Sequence, residues 1–383
     1  MLLIKNGYIK PMEGADIENG CVLIDDNGKI VAVGENIAAP SNAQVVDAGG
    51  RLVTPGCVEA HSHIGVNVEG PRKEGIDYNE KADPVCPHMR AIDAFYPQSE
   101  YLEAALRGGV TTACAGPGSA DVVGGTFAAV KLVGSCVDDM VIREPVAMKA
   151  AFGENPRNAF GANKKMPYTR MGVAAVLRDL LFKSKAYQQS KDAGENPKFD
   201  MKLEAMLPVM CKEIPLKCHA HRADDILTAV RIAKEFDIRI TLDHCTEGHV
   251  VVDKLAREGF PAIVGPSFGN KGKLELMNKT FETAGILHKA GVKLCITTDS
   301  PVTPLHYLPL CAGLAASEGL PMEEAWKAIT INPAEIMGID HRVGSLAPGK
   351  DADLVIWTAD PLTTIGGRAY TTIVDGKIVY QAE

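Results

Sequence analysis

The sequence predicts an α/β fold, a (β/α)8 barrel of TIM type, and three observations carry that prediction. Between residues 56 and 345, short apolar runs ending in polar or glycine residues alternate with helical patterns. Eight such runs can be counted, the number a closed barrel needs. No G-x-G-x-x-G follows the first of them, so a doubly wound nucleotide-binding sheet lacks its signature.

In chain order the runs are "LVTPGCVEAHSH", "GVTTACAGPG", one at "FAAVKLV", "PVAMKAAFG", "PLKCHAH", "RITLDHC", "PAIVG" and "VKLCITTDS". After the fifth, Asp224 is placed to cap "DILTAVRIAKEF", whose Ile226, Leu227, Val230, Ala233 and Phe236 share one face. Two connections are too long for turns. Residues 66–100 follow the first run, and residues 153–213, with at least two helices expected, follow the fourth. Such connections are usually lids or insertions, and both leave strand C-termini, the face where barrel enzymes hold their sites. The chain ends read differently. "CVLIDDNGKIVAVG" and "TTIVDGKIVYQ" are hairpins turning at Asn27-Gly28 and Asp375-Gly376, where both central residues favour positive φ.

Composition excludes several classes. Hydrophobic residues make up 46% and charged residues 23% of 383, as in ordinary globular proteins. A formal charge of −8 argues against nucleic-acid binding, which needs a basic surface. No apolar run approaches the roughly 20 residues of a membrane span, and "MLLIKNGYIKPMEG" lacks a signal-peptide core. The ten cysteines contain no C-x-x-C pair. Cys57, Cys114, Cys218, Cys245 and Cys295 lie in apolar runs and read as buried free thiols, which suits a cytoplasmic setting.

The polar residues at the run ends carry the chemistry. In a strand, residues i and i+2 point to one side, so His61 and His63 in "GCVEAHSHIG" can converge on one point. A metal ion rewards two adjacent imidazoles; hydrogen-bonded core histidines are the alternative. Recurrence favours the metal. His219 and His221 end the fifth run, His244 the sixth and Asp299 the eighth, which in a barrel is a single rim. Imidazole with carboxylate suits zinc, and iron or manganese less selectively.

The frames "VLIDDNGKIVAVGENI…VVDAGGRLVTPGCVEAHSH" and "VGSLAPGKDADLVIW" resemble the two signatures of the metal-dependent amidohydrolase superfamily, especially its imidazolonepropionase-like branch. The resemblance implies a barrel over 56–345, with residues 1–55 and 346–383 joined in a small β-sandwich. It implies metal ligation by His61, His63, His219, His244 and Asp299. In binuclear members a carboxylated lysine ends the fourth strand and bridges two ions; Lys149 in "VAMKAAFGENP" stands there, and an ordinary lysine with a snorkelling stem is the alternative. In some mononuclear members the sixth-strand histidine is catalytic instead, so the role of His244 depends on whether one or two divalent ions bind.

The implied activity is hydrolysis of an amide or cyclic amide C–N bond in a small molecule. A bound divalent ion lowers the pKa of water toward about 7, which makes hydroxide available. Asp299 then accepts the water's proton and returns it to the leaving nitrogen, or serves only as a ligand. His244 or His249 could stabilise the oxyanion, and His249 could equally just open a helix. One departure from the pattern is plain. Imidazolonepropionases and many deaminases carry a proton-handling glutamate three residues after the fifth-strand histidine, and here that position is Arg222. Arg222 could grip a substrate carboxylate or pair with Asp224 or Asp225. His221 and Tyr78 complete the expected substrate contacts.

Arg72, Lys73, Arg157, Lys164, Lys165 and Arg170 on the long connections would favour an anionic substrate, or form a solvated face. A deaminase or metallo-dipeptidase on the same scaffold is the second enzyme reading. A non-catalytic scaffold protein is the third, and it is opposed by every ligand position being filled. Relatives are commonly oligomers, so a homo-oligomer is expected.

Overall fold

The structure, a computed structural model, describes residues 1–68, 75–162 and 165–383. The first strands are β1 (Leu2–Ile9), β2 (Ile17–Ile24), β3 (Ile30–Glu35), β4 (Gln44–Asp47) and β5 (Leu52–Pro55). The eight runs follow as β6 (Cys57–Ser62), β7 (Val110–Ala115), β8 (Val123–Lys131), β9 (Val141–Ala151), β10 (Leu216–Ala220), β11 (Ile240–His244), β12 (Ala262–Val264) and β13 (Leu294–Ile296). Last come β14 (Leu354–Trp357), β15 (Ala369–Val374) and β16 (Lys377–Gln381).

Strands β6 to β13 form one sheet in chain order. The first and last strands meet through polar bridges rather than a ladder. Thr297 Oγ1 donates to the His61 carbonyl at 2.8 Å, His63 N to the Ser300 carbonyl at 2.7 Å, and Thr298 N and Oγ1 to Glu59 at 2.8 and 2.7 Å. The result is a nearly closed barrel. Its lower interior is filled by Val58, Cys114, Phe127, Val146, Ile263 and Cys295, against Ile336 and Met337 of the helix Ile331–Met337.

One strand corrects the expected all-parallel pattern. β8 runs antiparallel to both β7 and β9. Residues 116–122 and 132–140 are its only links, and the second holds just the single turn Val137–Met140. A parallel neighbour needs a crossover of a dozen residues or more, so these short links permit only reversal. The reversal carries Lys131 to the end of the barrel opposite the histidines.

The terminal segments share a second sheet, ordered β16-β15-β14-β5-β1-β2-β3, with β4 also on β1. β5 of the N-terminal segment pairs antiparallel with β14 of the C-terminal one, through Leu354 opposite Pro55. Ile4, Ile9, Val22, Ile24, Leu354 and Ile356 pack in its core. The two hairpins differ. Asp375 and Gly376 both have positive φ, 48° and 71°, whereas at the first turn only Gly28 does, at 73°. There Asp25 takes over the turn, its side chain accepting from Asn27 N and Lys29 N at 2.9 and 2.8 Å.

The 153–213 connection holds helices Glu154–Gly161, Arg170–Asp192 and Met201–Met210. The helix after β10 spans Ala223–Phe236 and buries Ile226, Val230, Ala233 and Phe236 of the expected face, while Leu227 is only partly buried. Its start differs from expectation. Arg222 is the N-cap, Asp224 lies inside the first turn, and Glu247 accepts the Ala223 N–H at 2.8 Å. All ten cysteines are free, and the five assigned to apolar runs are buried. Among the described residues no helix is long and apolar enough to cross a membrane.

Candidate metal centre and active site

Each expected ligand sits where a barrel strand ends. His61 lies in β6 and His63 just past it, with ring centroids 5.4 Å apart. His244 closes β11; its ring is 5.0 Å from that of His61 and 4.4 Å from that of His219. Asp299 follows β13. His244, Cys245 and Asp299 have positive φ of 69°, 47° and 51°, a conformation non-glycine residues adopt at a cost and which gathers at functional sites. Two groups could each hold an ion: His219 with His221 and His244, and His61 with His244 and Asp299. They share His244.

The tautomers show what these rings offer a cation. Nδ1 of His61 meets Asp243 Oδ2 at 2.6 Å, Nδ1 of His63 the Gly116 carbonyl at 2.8 Å, and Nδ1 of His244 the Gly265 carbonyl at 2.7 Å. All three partners are acceptors, so each ring donates through Nδ1 and leaves a lone pair on Nε2. Burial first, then the Lys149 charge, holds the His61 imidazole well below its ordinary pKa, which keeps it a neutral ligand. Burial also lowers His219, His221 and His244. Asp299 Oδ1 lies 3.2 Å from His63 Nε2 and 3.5 Å from His61 Nε2, and it is a buried oxygen with no hydrogen bond among the described residues. Lone pairs thus face a carboxylate oxygen, an arrangement that a positive charge between them would make favourable. The donor set fits a divalent metal.

Lys149 is fully buried on β9, its Nζ 3.1 Å from His61 Nε2. Burial lowers its pKa to about 8. Sequence reasoning missed the residues beneath. Lys217 lies opposite Lys149 across the β9–β10 ladder, buried, with Nζ 3.0 Å from the Ala60 carbonyl and 3.1 Å from Asp243 Oδ2. Asp243 therefore takes both the Lys217 charge and the His61 N–H, and fixes that ring. A charged pair inside apolar strands was the available signal: "LKCHA" and "ITLDH" each carry one charge at an inward position.

The remaining expected residues divide. Tyr78 stacks on His63, with centroids 4.9 Å apart, and lines the cleft with His221. Arg222 is absent from that lining and forks onto Asp224, with both bonds at 3.0 Å, the pairing its alternative described. His249 is also outside it; its Nδ1 meets Thr283 Oγ1 at 3.0 Å in the turn Gly248–Val251 that opens the next helix. Arg170 pairs with Asp225 at 2.9 Å, Arg157 reaches the Tyr168 carbonyl, and Lys165 is exposed, so none of the three lines the cleft. Arg72, Lys73 and Lys164 lie outside the described residues.

Asp121 beside the cleft is a buried carboxyl of another kind. Its Oδ1 has no hydrogen-bond partner among the described residues, and burial, reinforced by Glu80 and Asp83, pushes its pKa up to about 8. The folded form keeps a proton that the unfolded chain releases near 3.8, so this group's contribution is complete below that pH and fades as pH rises through about 8. Asp121→Asn should flatten the decline of Tm between pH 5 and 8. Parallel melting curves for the two proteins would refute the assignment.

A nearly closed barrel thus gathers imidazoles and a carboxylate on one rim, a set that could hold a metal ion, and the family is given by comparison with known proteins. Residues 218–379 match the model of the amidohydrolase family. The crystal structure of an amidohydrolase from Thermotoga maritima is 41% identical, with a TM-score of 0.96 over 100% of both chains. The amidohydrolase tasK of Hapsidospora irregularis is 28% identical over 98% of this chain, which spans 42% of that longer protein. An imidazolonepropionase of Rhizobium rhizogenes is 26% identical over 93% of this chain and 91% of its own. The chain belongs to the amidohydrolase family, and it is a hydrolase acting on carbon–nitrogen bonds.

Proposed function

We propose that this protein is a metal-dependent hydrolase of an amide or cyclic amide in a small, anionic molecule. The observation that carries the reading is the acceptor-against-acceptor contact of His61 and His63 Nε2 with the unpartnered Asp299 Oδ1. His61, His63, His219, His244 and Asp299 would hold one or two divalent ions, zinc before iron or manganese, with carboxylated Lys149 as the bridge in the two-ion case. When bound, the metal supplies the Lewis acidity that makes water a nucleophile near neutral pH.

The chain's own groups do the rest. Asp299 takes the proton from the attacking water and hands it to the leaving nitrogen. Gly116, Gly265 and Asp243 keep the three imidazoles in one tautomer throughout. Tyr78, stacked on His63, and His221, stacked on His244, form the walls against which the substrate lies. One observation favours a deaminase as the second reading. Glu275 is buried, its Oε1 without a hydrogen bond among the described residues and 3.8 Å from both His221 Nε2 and Lys273 Nζ, and so brings a carboxylate to the cluster from another loop.

The same reading takes residues 56–345 as the catalytic domain and 1–55 with 346–383 as a β-sandwich. What supports the sandwich is β1, whose one edge is shared by β4 and then β5. A cytoplasmic homo-oligomer completes it, supported on the first point by the buried free thiols.

Protein purified without chelator should contain at least one transition metal per chain by elemental analysis, and a clean preparation with none would remove the premise. Lys149→Ala should lower that stoichiometry if the lysine bridges two ions. An unchanged count would assign a single-ion site.

A further inference from the structure

The cleft above the histidines has a volume of about 780 Å³, within the range of small-molecule sites. Among the described residues three lysines line it: Lys81, Lys273 and Lys279. Lys279 already donates to three backbone carbonyls, those of Phe268, Gly269 and Asn270, at 3.1, 3.1 and 3.0 Å. Lys81 is exposed. Lys273 is the one joined to the imidazoles. Its ammonium donates to Asn155 Oδ1 at 2.7 Å, and Asn155 Nδ2 donates to Ser119 Oγ at 2.7 Å and stands 3.4 Å from His219 Nε2.

One asparagine side chain therefore separates this ammonium from an expected metal ligand. Its nearest carboxylate oxygen, Glu275 Oε1, is 3.8 Å away, beyond hydrogen-bond range. An ammonium has three donors, so two remain open for a ligand among the described residues. The rest of the wall includes the apolar Pro266, Phe268, Leu276, Pro301 and Val302.

We infer that Lys273, steadied by Asn155, anchors a substrate carboxylate, and that the substrate is an acylated α-amino acid with that carboxylate free. This deepens the hydrolase reading and rests on it. In such a molecule a single carbon separates the carboxylate from the scissile nitrogen, matching the short reach from Lys273 to the histidines. The apolar wall would take an amino-acid side chain.

The test compares zinc-loaded wild type, Lys273→Met and Lys273→Arg on N-acetyl-alanine, N-acetyl-alaninamide and glycyl-alanine, with melting temperatures checked first. Lys273→Met should raise KM for the two acids by about ten- to a hundredfold, the worth of a charged hydrogen bond, and leave kcat nearly unchanged. The alaninamide should be indifferent to the substitution, and Lys273→Arg should restore most of the loss. An equal effect on acid and amide, or none on either, overturns the assignment while leaving the hydrolase reading standing. If wild type hydrolyses none of the probes, thermal shift decides the anchor separately. N-acetyl-alanine should then stabilise wild type and not Lys273→Met, and equal stabilisation of both would refute the anchor. Turnover of glycyl-alanine assigns dipeptides to the class, and turnover of N-acetyl-alanine alone assigns N-acyl amino acids.

Discussion

Asp299→Asn is expected to lower kcat by about a thousandfold while the fold and melting temperature persist, the loss typical of a removed acid–base group. The substitution suits the question because it changes charge and proton capacity but little shape. Asp299 has φ of 51°, a conformation that asparagine tolerates and most residues do not. The positive charge of a bound divalent ion favours the ionised carboxylate, so the form present in the loaded enzyme would be the proton acceptor. Steady-state kinetics read beside elemental analysis separates the two roles of the residue. Lost turnover with metal retained identifies the proton shuttle, and lost turnover with metal lost identifies a ligand. Full activity in the variant would sink both.

The second large effect is on stability. Lys131→Met should destabilise the protein by about 3–5 kcal/mol, as when one partner of a buried ion pair is removed. Lys131 is buried at the far end of β8, 2.7 Å from Asp351 Oδ2 and 3.1 Å from Asp353 Oδ1, and it also contacts Asp375. Those aspartates belong to the terminal sheet or its approach, so the lysine ties that sheet to the barrel. Asp351 has further cations in Arg342, at 2.7 Å, and Lys29. Among the described residues Asp353 has only Lys131 as an ion-pair partner, and burial already pushes its pKa to about 6. Adding Asp353→Asn to Lys131→Met should therefore recover part of the loss. Urea and thermal unfolding measure both, and a loss below about 1 kcal/mol, the worth of an exposed pair, would contradict the buried lock.

The rim of imidazoles and a carboxylate was legible because each of these residues ends an apolar run and strand geometry limits their spacing. His61, His63, His219, His244 and Asp299 each end an apolar run, and a barrel brings such ends to one rim. The direction of β8 was not read, although the brevity of residues 116–122 and 132–140 contained it. Arg222 looked like a substrate contact by its place after His221, but two carboxylates stood within three residues, and Asp224 holds it.

By itself, the sequence determined the eight barrel strands, the hairpins at both ends and the residue types of a candidate metal site, because periodicity and turn chemistry are local. Only the tertiary structure decided which lone pairs meet and which charges pair. Lys217 finds Asp243 from a neighbouring strand, Lys131 finds aspartates more than two hundred positions away, and Lys273 reaches the histidines through Asn155. Such pairings depend on distances set by the packed strands, and sequence spacing carries no record of them.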